Sequence, residues 1–475
     1  MNTRHVQQFS KLLLFYILLQ PFLDIITGWQ VRLLPHFGLT AGVLVRAVML
    51  LAVLLFIMQA AKAQRNWIDR NIGYYLMGLL LLAVLNLGIN KFSKPVFSLF
   101  TEAAGTFKSM YYLIILVGFY YAFRNLSARQ IKRLVPAIVY WAQCCVSVSM
   151  ILAHWTQTAF KTYPQGKLGE SGWFNAGNEL GAILAITFPI VTLYAIKQTQ
   201  KYGYFWYWLG VFLMVIAIIM VGTKSCFYGM IIGIFFVLVN QFCFYWWHHR
   251  QQQRSFSRRY FYVNLVMIVL MLGGILGMYP HAPVKLNSTI QMEIIKDNQK
   301  NQKEILKEKK AHRKLSHYEK FLVKNQELNN PLVAKLLSGR TNYFRTIKAQ
   351  YHRANWGQKL FGLGYGGNYR HKPLTIEMDW VDFFFQFGVI GFVITMTPLV
   401  GIIVYLLYRF FKGINTAFIW DNLLYFVAFG LGIFMSIISG HVLNAPGVST
   451  YLGLVAAYLL NYVAHTKNYD FNDHF

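Results

Sequence analysis

Apolar residues in this chain come in long blocks separated by short polar punctuation. The blocks recur at about the 20 residues that a helix needs to cross a hydrocarbon core. About twelve can be drawn, near 11–28, 38–60, 73–90, 106–123, 133–154, 177–196, 204–221, 223–246, 261–279, 384–408, 420–439 and 446–463. Hydrocarbon offers a backbone polar group no partner except another backbone group, so each block is predicted to be a helix. The first carries Gln20, Pro21 and Asp24 but lacks a small-residue cleavage site, and it reads as a retained span. The expected fold class is an all-α polytopic membrane protein.

One polar interruption is far larger than the others. Between Pro280 and Asp379 about a hundred residues are predominantly polar. This divides the chain into a first membrane block (1–279), one large loop domain (280–383) and a last membrane block with its tail (384–475). Within the loop, Ser288 to Leu328 is rich in Lys, Glu and Gln. Ser288 with Gln291 has the form of a capping box. Ile290, Ile294, Leu306, Leu315, Leu322 and Leu328 give one loose apolar stripe, as in a solvated helical arm or an arm resting on anionic headgroups.

Charge refines the picture. There are 45 Lys plus Arg against 17 Asp plus Glu, a net charge of +28. On a soluble chain that balance would point to nucleic acid; among apolar spans it fits basic loops that fix orientation and basic groups that meet anionic lipid or phosphate. Alternate loops hold Arg65 and Arg70, then Arg124 to Arg133, then Lys197 and Lys201, then Arg250 to Arg259, then Arg409 and Lys412. Both termini are therefore expected in the cytoplasm, with 155–176 and the large loop facing outward. Cys144, Cys145, Cys226 and Cys243 fall in or beside apolar blocks, which suggests neither a disulfide framework nor a metal box.

Four polar features are candidates for chemistry. Gly362-Leu-Gly364-Tyr-Gly-Gly367 satisfies a dinucleotide pattern literally but lacks the strand–helix context, so it reads as a close-packed turn. Thr223-Lys224-Ser225 lies between two apolar blocks, where an ammonium either snorkels to headgroups or holds a lipid-linked phosphate. Arg340, in Ser338-Gly-Arg340, has the planar fork that suits phosphate. Glu377, Asp379 and Asp382 cluster where the tenth block begins; they are either ordinary partners of a helix N-terminus or a general base for a sugar hydroxyl. Asn178, Glu179 and Asp24 are further polar groups in or beside spans.

Taken together, these pieces resemble the O-antigen ligase and polymerase superfamily of bacterial membrane proteins. The resemblance rests on Gly172-Trp-Phe-Asn-Ala-Gly-Asn-Glu-Leu-Gly181, Gly222-Thr-Lys-Ser225, Ser338-Gly-Arg340, and Gly362-Leu-Gly-Tyr-Gly366 followed by Phe387-Gly-Val-Ile-Gly391. It implies a C-type glycosyltransferase fold of about twelve helices with an outward loop domain. It also implies undecaprenyl-pyrophosphate-linked glycans as donor and acceptor, with no nucleotide sugar, metal or other cofactor. A flippase and chain-length regulators are implied partners, and nucleic acid is not. Lys224, where the family commonly has Arg, and Arg340 would hold the pyrophosphate, with Asn178, Glu179, Thr223, Ser225 and His371 near the substrate. Family ligases place a catalytic His eleven residues before the first Gly of the closing Gly-x-x-Gly. Here that Gly is Gly388 and the position is Glu377, a departure that means either a carboxylate base or a mechanism other than the ligase one; His371 is the alternative as a displaced imidazole, and the spacing favours Glu377.

The expected function is an extracytoplasmic polymerase of lipid-linked repeat units, with Glu377, or failing it Asp379 or Asp382, as base. A ligase that moves finished glycan to a lipid or wall acceptor is the nearest rival. A lipid-linked oligosaccharide flippase would predict internal repeats, and no convincing one is visible. A non-catalytic scaffold is the remaining alternative.

Overall fold

The computed structural model describes residues 3–34, 40–64, 67–163, 166–250, 258–309, 340–412 and 418–464. The helices are α1 (Thr3–Leu33), α2 (Ala41–Gln64), α3 (Trp67–Ser93), α4 (Leu99–Arg124), α5 (Ala128–Trp155), α6 (Gly177–Tyr202), α7 (Trp208–Val221), α8 (Lys224–Arg250) and α9 (Arg258–Met278). Then follow α10 (Pro283–Lys309), α11 (Arg340–Arg353), α12 (Trp356–Phe361), α13 (Asp379–Lys412), α14 (Phe418–Ile438) and α15 (Pro446–Ala464). A two-stranded antiparallel hairpin, β1 (Phe160–Lys161) and β2 (Glu170–Gly172), lies between α5 and α6.

Every expected apolar block falls on one of these helices. Among the described residues, nine helical stretches are long and apolar enough to cross a membrane; one of them runs through α9 into α10 (Arg258–Ile305). Phe205–Val221 and Asn422–Ile438 are shorter apolar helices. The outer faces are greasy: Val48, Leu51 and Leu55 of α2 and Leu80, Leu81 and Val84 of α3 are exposed. A continuous apolar exterior of this kind belongs in lipid and not in water. The centre is α6, packed against α5, α7, α8, α14 and α15, and α15 in turn packs along α4, with Leu184, Ile186, Phe188, Tyr111, Phe119, Val455 and Leu459 buried. Apolar on all sides, α6 has no polar face to offer solvent, so the other helices surround it.

One expectation needs correction. Ser288 is no cap, because α10 already starts at Pro283, whose fixed φ and missing N–H suit a first helical position. Helix already precedes the tenth apolar block, and Asp379 and Asp382 lie within the first turn of α13, at the helix N-terminus where the sequence offered them a place. The arm beyond Lys309, with Leu315, Leu322 and Leu328, lies outside the described residues, as does Ser338.

The glycine-rich stretch is the close-packed turn its composition suggested. Gly362 has φ +96°, and a Cβ there would stand 2.0 Å from the Gln386 carbonyl oxygen. Leu363 and Gly364 donate their N–H groups to the carbonyls of Phe385 (2.8 Å) and Gln386 (3.1 Å). This backbone-on-backbone seam ends where α13 kinks at Gly388 (φ 67°). Its other side is pinned by α3 and α4. Asn86 donates to the carbonyls of Phe361 (2.6 Å) and Gln386 (2.8 Å). Buried Lys94 pairs with buried Glu102 and donates to the Tyr365 carbonyl at 3.0 Å, while Glu102 accepts the Tyr365 N–H at 2.8 Å.

Candidate active site

Two tight turns meet at the head of α13. In the first, just before the helix, Glu377 has φ +64°. The Asp382 carboxylate holds it there by accepting the N–H groups of Ile376 (2.8 Å) and Glu377 (3.0 Å). The second turn joins α14 to α15, with Gly440 at φ +63° and His441 at φ +59°. The Asp379 carboxylate holds that turn by accepting the N–H groups of His441 (2.9 Å), Val442 (2.9 Å) and Leu443 (2.7 Å). The turns touch back to back: a Cβ on Gly440 would lie 2.5 Å from the Glu377 carbonyl oxygen. A left-handed residue with a side chain costs about 1–2 kcal/mol. Two of them facing one another, each locked by its own carboxylate, mark a geometry that the surrounding fold imposes.

That geometry sets a carboxylate between two basic groups. One oxygen of Glu377 lies 3.6 Å from the Arg340 guanidinium and 3.6 Å from His441 Nε2, beyond hydrogen-bond length in both cases. Arg340 opens α11, donates to the Ser439 carbonyl at 3.1 Å, and keeps its buried Nε without a hydrogen bond. The imidazole of His441 does most to hold the Glu377 carboxyl below its ordinary range; burial works against this, and Arg340 adds to the lowering. For His441, burial pushes the pKa down, but Glu377, Glu179 and Asp379 together outweigh it and raise it. The site therefore presents an ionised carboxylate beside an imidazole inclined to hold a proton.

Glu377 and His441 face a cavity of about 200 Å³, together with Tyr365, Lys108, Glu179 and Asn444. Of the residues singled out from sequence, Glu377, Asp382 and Glu179 line this space. Asp379 is fully buried behind it, and Arg340 reaches Glu377 from its edge. Lys224, at the start of α8, pairs with Gln291 of α10. Thr223 is buried at the α7–α8 junction and Ser225 is half-buried, whereas Asn178 and His371 are exposed. None of these last five lines the cavity.

A path of electrostatic influence and hydrogen bonds runs from Arg340 toward Lys224. The charge of Arg340 acts on Tyr163 and Lys167 of the hairpin loop. Although Lys167 is an exposed residue, packing around its ammonium lowers its pKa first and the like charge of Arg340 lowers it further. The neighbouring Leu168 exchanges 2.6 Å hydrogen bonds with Asn287 of α10, and Asn287 also donates to the Gly222 carbonyl at 3.4 Å. Gly222 is two residues from Lys224.

Sequence reasoning missed His441, Lys108, Arg46 and Lys167. A signal existed for three. Arg46 and Lys108 are charges inside apolar blocks, which lipid penalises. His441 sits in the polar break Ser439 to Asn444 between the last two blocks.

A helical, lipid-exposed bundle that gathers a carboxylate, an imidazole and a guanidinium beside one cavity defines a polytopic membrane protein with an enzyme-like site. The chain belongs to the family described as O-antigen ligase like membrane protein, whose model matches residues 6–466. Membership marks it as a glycosyltransferase-type membrane enzyme that acts on lipid-linked glycans. No curated protein and no solved structure matches the chain.

Proposed function

We propose that the protein polymerises undecaprenyl-pyrophosphate-linked oligosaccharide repeat units into a cell-surface polysaccharide. It would do so at the outer face of a bacterial plasma membrane, with both termini cytoplasmic and residues 280–383 outside. The observation that carries this reading is Glu377: a carboxylate at the position where family ligases have histidine, locked in a strained turn and held between Arg340 and His441 at the wall of a cavity.

The acceptor hydroxyl attacks the donor's anomeric carbon, the bond from that carbon to the pyrophosphate oxygen breaks, and the hydroxyl proton passes to Glu377. A carboxylate of lowered pKa suffices, because the hydroxyl becomes strongly acidic once its oxygen has begun to bond to carbon. Arg340 stabilises the departing pyrophosphate, with Lys167 and Lys224 extending the cationic path along the hairpin. Asp379 and Asp382 position the two turns. His441 keeps Glu377 ionised and oriented. Substrate-side roles for Thr223, Ser225, Asn178 and His371 belong to this reading only if glycan or lipid extends beyond the cavity.

A ligase is the second reading, and His441 favours it by bringing an imidazole to the site after all. The test is the length distribution of lipid-linked glycans in cells carrying Glu377→Gln. Accumulation of single lipid-linked repeat units with loss of long chains supports the polymerase. Long chains left unattached to acceptor would make the protein a ligase. An unchanged distribution would remove Glu377 from the chemistry.

A further inference from the structure

A second cavity, of about 280 Å³, opens between α1, α2, α4, α6 and the head of α15. It shares Lys108, Glu179 and Asn444 with the cavity at Glu377, so the two spaces have a common wall. Four charged residues line it: Asp24 and Glu179, Arg46 and Lys108. Asp24 and Arg46 are joined at 2.6 Å, and Arg46, itself 7% exposed, is also held at 2.8 Å by Gln20. Glu179 stands in the combined field of His441, Asp24, Lys108 and Arg46. Among the described residues, the side chains of Lys108, Asn175 and Asn444 make no hydrogen bond, and the Thr27 hydroxyl is buried without one. Phe107 and Phe174 supply apolar surface to the same lining.

Resting on the proposed polymerase reading, we infer that this second cavity is a binding subsite for an uncharged sugar unit of the glycan, next to the reacting centre. The lining is the argument. Two acids balance two bases, so the lining carries no net formal charge with which to attract an anion from a distance. An entering phosphate would meet Asp24 and Glu179 as well as Arg46 and Lys108. A sugar needs what is present: amides, an ammonium and carboxylates able to donate to and accept from hydroxyls, with ring faces for its C–H surface. Phosphate is better served on the other side of Glu377, where the charges of Arg340 and Lys167 act on one another. The shared wall at Lys108, Glu179 and Asn444 then places the sugar next to the one that reacts.

The test is binding to purified full-length protein in lipid nanodiscs. The probes are a lipid-free oligosaccharide repeat, released from the cells' own surface polysaccharide, and inorganic pyrophosphate. Thr40→Trp would fill the cavity from the residue that precedes α2. Asn175→Ala, at an exposed position, removes one amide without threatening the fold. The expected result is that wild type and Glu377→Gln bind the oligosaccharide alike. Asn175→Ala should weaken binding by up to about tenfold, as for loss of one hydrogen bond. Thr40→Trp should abolish it while pyrophosphate binding persists. Unchanged oligosaccharide binding by both Thr40→Trp and Asn175→Ala would overturn the proposal. So would loss of pyrophosphate binding alone in Thr40→Trp, or absence of oligosaccharide binding by wild type. Each of those outcomes leaves the polymerase reading to be judged separately by the chain lengths that Glu377→Gln cells produce.

Discussion

Two clusters of opposite charge lie on either side of the glycine-rich turn, and they are built on opposite principles. At Lys94 and Glu102 both side chains are fully buried, pair directly, and use their remaining capacity on the backbone of Tyr365. At Glu377 the carboxylate is 38% exposed, stands 3.6 Å from each of two basic groups, and faces a cavity. The first cluster has nothing left to offer a ligand. The second leaves a carboxylate oxygen, an imidazole nitrogen and a guanidinium nitrogen without close partners, which is the state a site needs before substrate arrives. Saturated hydrogen bonding therefore separates a structural ion pair from a chemical one, where residue type alone does not. Asp379 and Asp382 fall on the structural side by the same criterion, since their oxygens are occupied by backbone N–H groups.

The contrast can be broken by experiment. The largest expected effect is that of Glu377→Gln, which should lower turnover of lipid-linked glycan by about 10²–10⁴-fold, the usual worth of a general base, with little change in unfolding midpoint. Glu102→Ala should do the reverse. Leaving the Lys94 ammonium buried and unpaired should destabilise the protein by about 3–5 kcal/mol, measured by denaturation in detergent. If instead Glu102→Ala abolished turnover in a protein of normal stability, the distinction between the clusters would fail.

Asp379→Ala should destabilise the α14–α15 turn by about 1–3 kcal/mol through unsatisfied N–H groups, with activity lost in proportion to the displacement of His441. Asp379→Asn, which keeps the shape and part of the acceptor capacity, should recover some of both. Arg340→Lys keeps the charge but not the fork, and should lower kcat/KM about tenfold or more, against a smaller loss for Lys224→Ala. Equal losses at the two positions would show that the pyrophosphate spans the whole hairpin.

The smallest effect is on the pH dependence of stability. His441, raised in the fold, contributes stability that is complete below its ordinary value of 6.5 and is lost as pH rises through its folded value. Glu377, lowered in the fold, contributes above its ordinary value of 4.5 and loses that contribution as pH falls through its still lower folded value. Both contributions operate together between 4.5 and 6.5. The His441 contribution should shrink in Glu377→Gln, so the mutant's unfolding midpoint should fall less steeply than that of wild type above pH 6.5.

Much of this was legible in the chain. Block length located the helices, because lipid enforces intrahelical pairing whatever the neighbours are. Gly362 and Glu377 were conspicuous, the first as the start of the glycine run near the end of the polar loop and the second through its spacing from Gly388. Less legible was the division of labour among three clustered acids. Glu377, Asp379 and Asp382 have the same chemistry and differ only in what their oxygens meet, and those partners include N–H groups 62 to 64 positions away along the chain.

By itself, then, the sequence determined the solvent of this protein, its helical class and its family features, and it singled out the stretch that holds the proposed site. Those properties follow from composition and local spacing, which act over a few turns of helix. Only the tertiary structure decided that His441 faces Glu377, that Arg340 closes the third side, and that charges from α1, α2, α4 and α6 converge on a second cavity. Convergence of that kind depends on which helix faces pack against each other, and no local pattern encodes it.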